Sequence, residues 1–136
     1  MNLAELRQFF REQFSQSSVE IDEVEEGRVR VRQKVGEAQL RPGGTVSGPV
    51  MMAAADAAAY AVILAAIGPV ALAVTTDLSI HFLRKPESGR DIVADGVLLK
   101  LGKRLAVVDA RVYSDGVVEP VAQATITYSI PPPQRR

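Results

Sequence analysis

Residues 47–69 read SGPVMMAAADAAAYAVILAAIGP, running from Ser47 through a single acid, Asp56, to Gly68-Pro69. Both ends are marked as those of a helix. Ser47 or Gly48 opens it, Pro49 sits in the first turn where its missing N–H costs nothing, and Gly68-Pro69 stops it. Val50 to Ile67 spans eighteen residues with Asp56 as the only charge, which is near the lower length limit for a membrane span. Against that, an Asp at a membrane-helix centre costs about 2.5–3.5 kcal/mol, and an Ala-rich segment lacks the Leu and Phe that would offset it. The expectation is a helix buried on nearly all sides of a soluble fold, with no membrane partner.

Working outward, four stretches rich in Val, Ile and Leu follow, at about 70–84, 90–101, 104–114 and 117–129. Short polar turns divide them at Pro86 to Gly89, Gly102-Lys103 and Asp115-Gly116, so neighbouring strands are antiparallel. In the third, Ala106, Val108, Ala110 and Val112 alternate with Val107, Asp109, Arg111 and Tyr113. That small apolar face lets a sheet lie close to an Ala-rich helix. Before the helix, Leu3, Leu6, Phe10 and Phe14 recur at helical spacing, predicting about three turns of amphipathic helix that packs as a lid or flank. Val19, Ile21 and Val29, Val31 on either side of Glu26-Gly27 predict a hairpin whose Glu- and Arg-rich faces meet water. Gly36 to Ser47 reads as a loop, the one best placed to carry function. The expected architecture is α+β: an N-terminal helix, then about six antiparallel strands curved around one long helix. Residues 1–130 form one domain and 131–136 an extended Pro-rich tail.

Composition narrows the chemistry. Sixteen basic residues balance sixteen acidic ones, so no net field gathers nucleic acid. The absence of cysteine removes a thiolate metal site and a Cys nucleophile, and one histidine cannot make a multi-His zinc site, so no metal or redox cofactor is expected. The N-terminus has scattered charges and no apolar core before a small-residue cleavage site, which predicts a cytoplasmic protein.

Two features can carry a reaction. Free N–H groups at a helix N-terminus, backed by the positive end of the helix dipole, can polarise a carbonyl and stabilise an oxyanion, and Gly48 is the natural donor. Pro49 has no N–H, which confines the donor to its neighbours. The same Ser-Gly-Pro is also an ordinary cap. Asp56, set among alanines, is expensive to keep ionised unless it is partnered or faces a cleft, so it is a candidate base or nucleophile; a structural hydrogen bond to a neighbouring strand is the plain alternative.

The segment resembles the PaaI-like hotdog thioesterases, which hydrolyse acyl-CoA thioesters. Their pattern is a His-Gly-Gly loop, an acid nine positions after the His, and a strand like Val-Thr-Val-Asp-Leu-x-Ile-x-Phe-Leu-Arg-Pro. Here Ser47-Gly48-Pro49 holds the loop position and Asp56 falls nine after Ser47. Val74-Thr75-Thr76-Asp77-Leu78-Ser79-Ile80-His81-Phe82-Leu83-Arg84-Lys85-Pro86 matches the strand, and Gly102 to Leu105 and Ala122 to Thr125 resemble the later hairpin and last strand. Coverage runs from about Arg41 to Ile130. The resemblance implies the hotdog fold, Asp56 as base or nucleophile, Gly48 as oxyanion donor, and Thr75 as a hydroxyl that helps to place the attacking water. Ser47 and Pro49 depart from the pattern at positions that meet the thioester, which bears on rate and substrate class.

If the helix begins at Gly48, Asp56 stands eight residues, or about 12 Å, up its axis, so one carbonyl cannot touch both. A site using both needs two chains, which predicts a homodimer, or a dimer of dimers, paired by sheet edges. Arg84, Lys85, Lys103 and Arg104 are candidates to hold CoA phosphates, with CoA as part of the substrate and no separate cofactor. His81 shares a polar strand face with Asp77 and Ser79 and reads as structural or interfacial. The function expected is hydrolysis of a small to medium acyl-CoA; the rivals are a non-catalytic acyl-CoA-binding scaffold and, further behind, a hydratase or dehydratase, for which the loop lacks a histidine.

Overall fold

In a computed structural model, residues 1–15, 17–36, 40–41, 44–70 and 72–132 are described. The expected loop residues Pro42 and Gly43, Ala71 of the first post-helix stretch, and tail residues 133–136 lie outside them. The element order is α1 (Leu3–Gln13), β1 (Val19–Glu25), β2 (Arg28–Gln33), β3 (Leu40–Arg41), β4 (Thr45–Val46), α2 (Gly48–Ile67), β5 (Val74–Phe82), β6 (Ile92–Leu101), β7 (Leu105–Ser114) and β8 (Ala122–Ser129).

Six strands form one antiparallel sheet in the order β1-β2-β6-β7-β8-β5, and β3 pairs with β4 apart from it. The sheet curves around α2, as expected from the sequence. Alternation sets which face does this: Ala106, Val108, Ala110 and Val112 of β7 are fully buried, as are Ala122, Ala124 and Ile126 of β8. The closest approach is at Gly96 in β6, where a Cβ would stand 2.6 Å from the carbonyl oxygen of Ala58. Helix backbone therefore rests directly on strand backbone, which only a glycine at that position permits. Among the described residues α2 is long and apolar enough to cross a membrane. Its composition is accounted for by the core instead, since Ala54, Ala55, Ala58, Ala59, Ala61 and Ile63 are at 0% exposure against the sheet and its neighbours.

The remaining elements follow local chemistry. Asn2 and Glu5 form a reciprocal capping box that starts α1, and Leu6 and Phe10 are its buried residues. The outward face of the hairpin is more tightly paired than a merely solvated one. Arg30 makes a two-pronged contact with Asp95, and Arg32 reaches Asp22, Asp91 and Asp115.

Three expectations are corrected. The loop Gly36 to Ser47 contains the short β3–β4 hairpin. The strand expected from residue 70 starts at Val74, because the chain first turns with Ala73 N–H donating to Val70 O at 3.1 Å. The strand expected from 117 starts at Ala122: Pro120 has no N–H for a ladder, and Val118 is 86% exposed.

Candidate active site

Helix α2 turns one stripe away from the sheet. Met52 and Ala53 are exposed, and Asp56 and Ala57 are half-buried, a three- and four-residue spacing that keeps them on one face. Asp56 therefore looks out of the core, and two hydroxyls meet it. Thr75 of β5 donates from Oγ1 to Oδ1 at 2.9 Å, and Tyr128 of β8 donates to the same oxygen at 2.9 Å. The Tyr128 hydroxyl also lies 3.3 Å from the Asp56 carbonyl oxygen. These two donors are direct cross-strand neighbours in the β5–β8 register. Among the described residues nothing donates to Oδ2.

Burial, and then the Asp56 carboxylate beside it, push the Tyr128 hydroxyl far above the ordinary phenol range, with Thr75 offsetting only part of this. Tyr128 is thus a neutral donor at every working pH. Sequence reasoning missed it. Its buried place in the alternation Ala122, Ala124, Ile126, Tyr128 was readable, but a partner 72 residues away was not.

Asp56 lines a cleft of about 400 Å³ walled by Phe10 of α1 and Phe14 just beyond it, Ala53, Ala57 and Tyr60 of α2, and Val74 and Tyr128 of the sheet. The walls are stiffened by ring contacts: Phe14 meets Tyr60 edge-on at 5.5 Å, and Tyr60 stacks on Tyr128 at 5.8 Å. A larger depression of about 660 Å³ lies between α1 and β1, but Arg7, Arg11 and Glu20 line it and none of the expected site residues does.

Gly48 lies at the opposite end. A Cβ there would come 3.2 Å from the Phe82 ring, so glycine is favoured by packing as well as by any role in binding. Ser47 makes no side-chain capping bond. Its carbonyl accepts the first helical bond from Met51 at 3.3 Å, leaving the Gly48 N–H outside the helix ladder. Since Thr75 pairs with Tyr128 and Phe82 with Ala122, β5 has the Asp56 contact at one end and the Gly48 contact at the other. Seven residues of strand separate them, about 23 Å.

The basic residues divide the same way. Arg84 and Lys85 follow Phe82, and Arg84 Nε donates to Pro120 O at 3.0 Å. Lys103 and Arg104 lie at the other end of the sheet, where Arg104 O accepts from Ile130 N–H at 2.7 Å. One protomer therefore does not gather all four around one phosphate group. All four are exposed, as is His81.

The sequence pattern that defines the Thioesterase superfamily matches residues 43–121. A Silicibacter sp. TM1040 protein described as a thioesterase shares 49% identity with this chain. The alignment covers 97% of this chain and 93% of that one, with a TM-score of 0.90. The phenylacetic acid degradation protein PaaI of Thermus thermophilus, solved as a mutant, is similar at 25% identity over 90% of this chain and 98% of its own, with a TM-score of 0.72. A Saccharolobus solfataricus protein named as an esterase is 31% identical over 133 residues, 96% of this chain and 86% of its own. With the sheet-wrapped helix already described, these likenesses identify the chain as a member of the thioesterase superfamily, with a PaaI-like hotdog fold.

Proposed function

We propose that the protein hydrolyses small to medium acyl-CoA thioesters at a site shared between two copies of the chain. The observation that carries this is the state of Asp56: one carboxylate oxygen is fixed by two hydroxyls while the other is unengaged among the described residues and borders an apolar cleft. The acyl group fills that cleft, whose volume of about 400 Å³ falls at the small end of ligand pockets. Asp56 Oδ2 takes a proton from water as the water oxygen adds to the thioester carbonyl carbon. The oxyanion that forms is met by the N–H of the partner's Gly48, the C–S bond breaks, and the proton passes to the departing thiolate.

The need for a partner follows from distance. Gly48 and Asp56 are separated by about 12 Å along one helix. Antiparallel pairing of two β5 edges about a two-fold axis near Leu78 or Ser79 brings the Phe82 end of one protomer to the Thr75 end of the other. The partner's Gly48 is thereby carried toward Asp56. The same operation brings Arg84 and Lys85 of one chain toward Lys103 and Arg104 of the other, which joins the divided basic residues into one candidate phosphate-binding surface.

An acyl-CoA panel assayed with a thiol reagent tests the reading. Asp56→Asn should lower kcat at least ~100-fold while CoA binding persists. Binding without turnover in the parent protein would favour the scaffold reading, for which Ser47 and Pro49 at the thioester-facing loop are the supporting observation.

A further inference from the structure

We infer that Tyr128 is a positioning residue that holds the Asp56 carboxylate correctly aimed for the attack on the thioester. The inference rests on the hydrolytic reading of Asp56 above. Its basis is the division of labour at one oxygen. Thr75 and Tyr128 both donate to Oδ1, at 2.9 Å each, so the carboxylate cannot rotate without breaking two bonds, and Oδ2 is left without a donor among the described residues. The two donors differ in how they are held. Thr75 lies on the exposed edge strand, next to an irregularity in its pairing between Thr75 and Asp77. Tyr128 is 4% exposed, its ring stacks on Tyr60, and its strand is paired on both sides, with β5 and β7. Of the two, the phenol is the donor whose position the core dictates.

The phenol reaches Oδ1 from the wall of a cleft that Phe10, Phe14, Ala53, Ala57, Tyr60 and Val74 also line. A neutral donor bonds the carboxylate form of an acid in preference to its protonated form, and burial holds the Tyr128 hydroxyl protonated, far above the ordinary phenol range.

Tyr128→Phe keeps the ring and removes only the hydroxyl. Expected are a fall in kcat of about tenfold with KM nearly unchanged, and a shift of the acidic limb of the kcat/KM profile upward by about one pH unit, since the carboxylate has lost a donor to its charged form. A purely structural hydroxyl would not move that limb. Uniform replacement of the three tyrosines by fluorotyrosine, a more acidic and stronger donor, provides a second measurement that does not depend on the variant folding, and should move the limb downward. Unmoved profiles in both experiments, with Asp56→Asn inactive, would overturn the role of Tyr128 and leave the hydrolytic reading intact. Turnover retained by Asp56→Asn would overturn both.

Discussion

The two edges of the sheet are built in opposite ways. Along β1, Glu20, Glu23 and Glu25 face outward, Lys34 pairs with Glu20 at 3.3 Å, and Arg32 holds Asp22 at 3.0 Å. Helix α1 closes over part of this edge, with Arg7 donating to the backbone carbonyl of Ile21 at 3.0 Å. Along β5, Val74 and Phe82 are more than half exposed, Leu83 just beyond is 51% exposed, and among the described residues no ion pair forms. Charge and a covering helix are what keep a strand edge from pairing with another chain; β5 exposes Asp77, Ser79 and His81 beside its apolar residues, but none of them is tied into an ion pair among the described residues. The contrast supports the proposed pairing: the β1 edge is finished within the protomer, and the β5 edge is the one available to a second copy.

The comparison breaks most visibly at β5. Ser79→Lys sets a charge close to the proposed two-fold axis, where it meets its own copy. The expected outcome is a monomer in sedimentation with kcat/KM reduced at least ~100-fold, since each site then loses the partner's Gly48. A fully active monomer would end the shared-site mechanism. On the other side, Asp95→Asn should destabilise the fold by about 2 kcal/mol in denaturant titration without changing the oligomer. It leaves the Arg30 guanidinium without its partner while Arg28 keeps Glu25, and the partial exposure of both reduces the effect below that of a fully buried pair.

The pH dependence sharpens the same point. Burial alone would raise the Asp95 carboxyl, but Arg30 and Arg28 outweigh it and hold it below the ordinary range; Arg32 does the same for Asp115. A depressed folded-state value adds stability above the unfolded value, so this contribution should be intact at neutral pH and lost as pH falls below about 4. Asp95→Asn should flatten that fall. The smallest effect is expected from Glu20→Gln, which removes an exposed pair and should change stability by less than about 0.5 kcal/mol.

Much of the fold was legible because periodicity and punctuation agreed. The limits of α2 came from Pro49 and Gly68-Pro69, and the buried face of β7 from its alternating small residues. The orientation of α2 was not legible, because alanines line both its buried and its outward faces and nothing in the pattern says which side Asp56 takes. At the site, the acid and glycine stood out as chemical anomalies. Tyr128 did not, since a tyrosine in a strand is ordinary until the strand order brings it beside Thr75. The separation of Arg84 and Lys85 from Lys103 and Arg104 was hidden for the same reason: strand order, not spacing, decides which turns share an end of the sheet.

Gly96 touches Ala58, two residues along the helix from Asp56, with backbone against backbone. A methyl group at that point would lift the helix and carry the acid with it, away from the phenol that aims it. Gly96→Ala is therefore a lesion whose first casualty is alignment: the chain can retain its architecture and still miss its substrate by the thickness of one carbon atom.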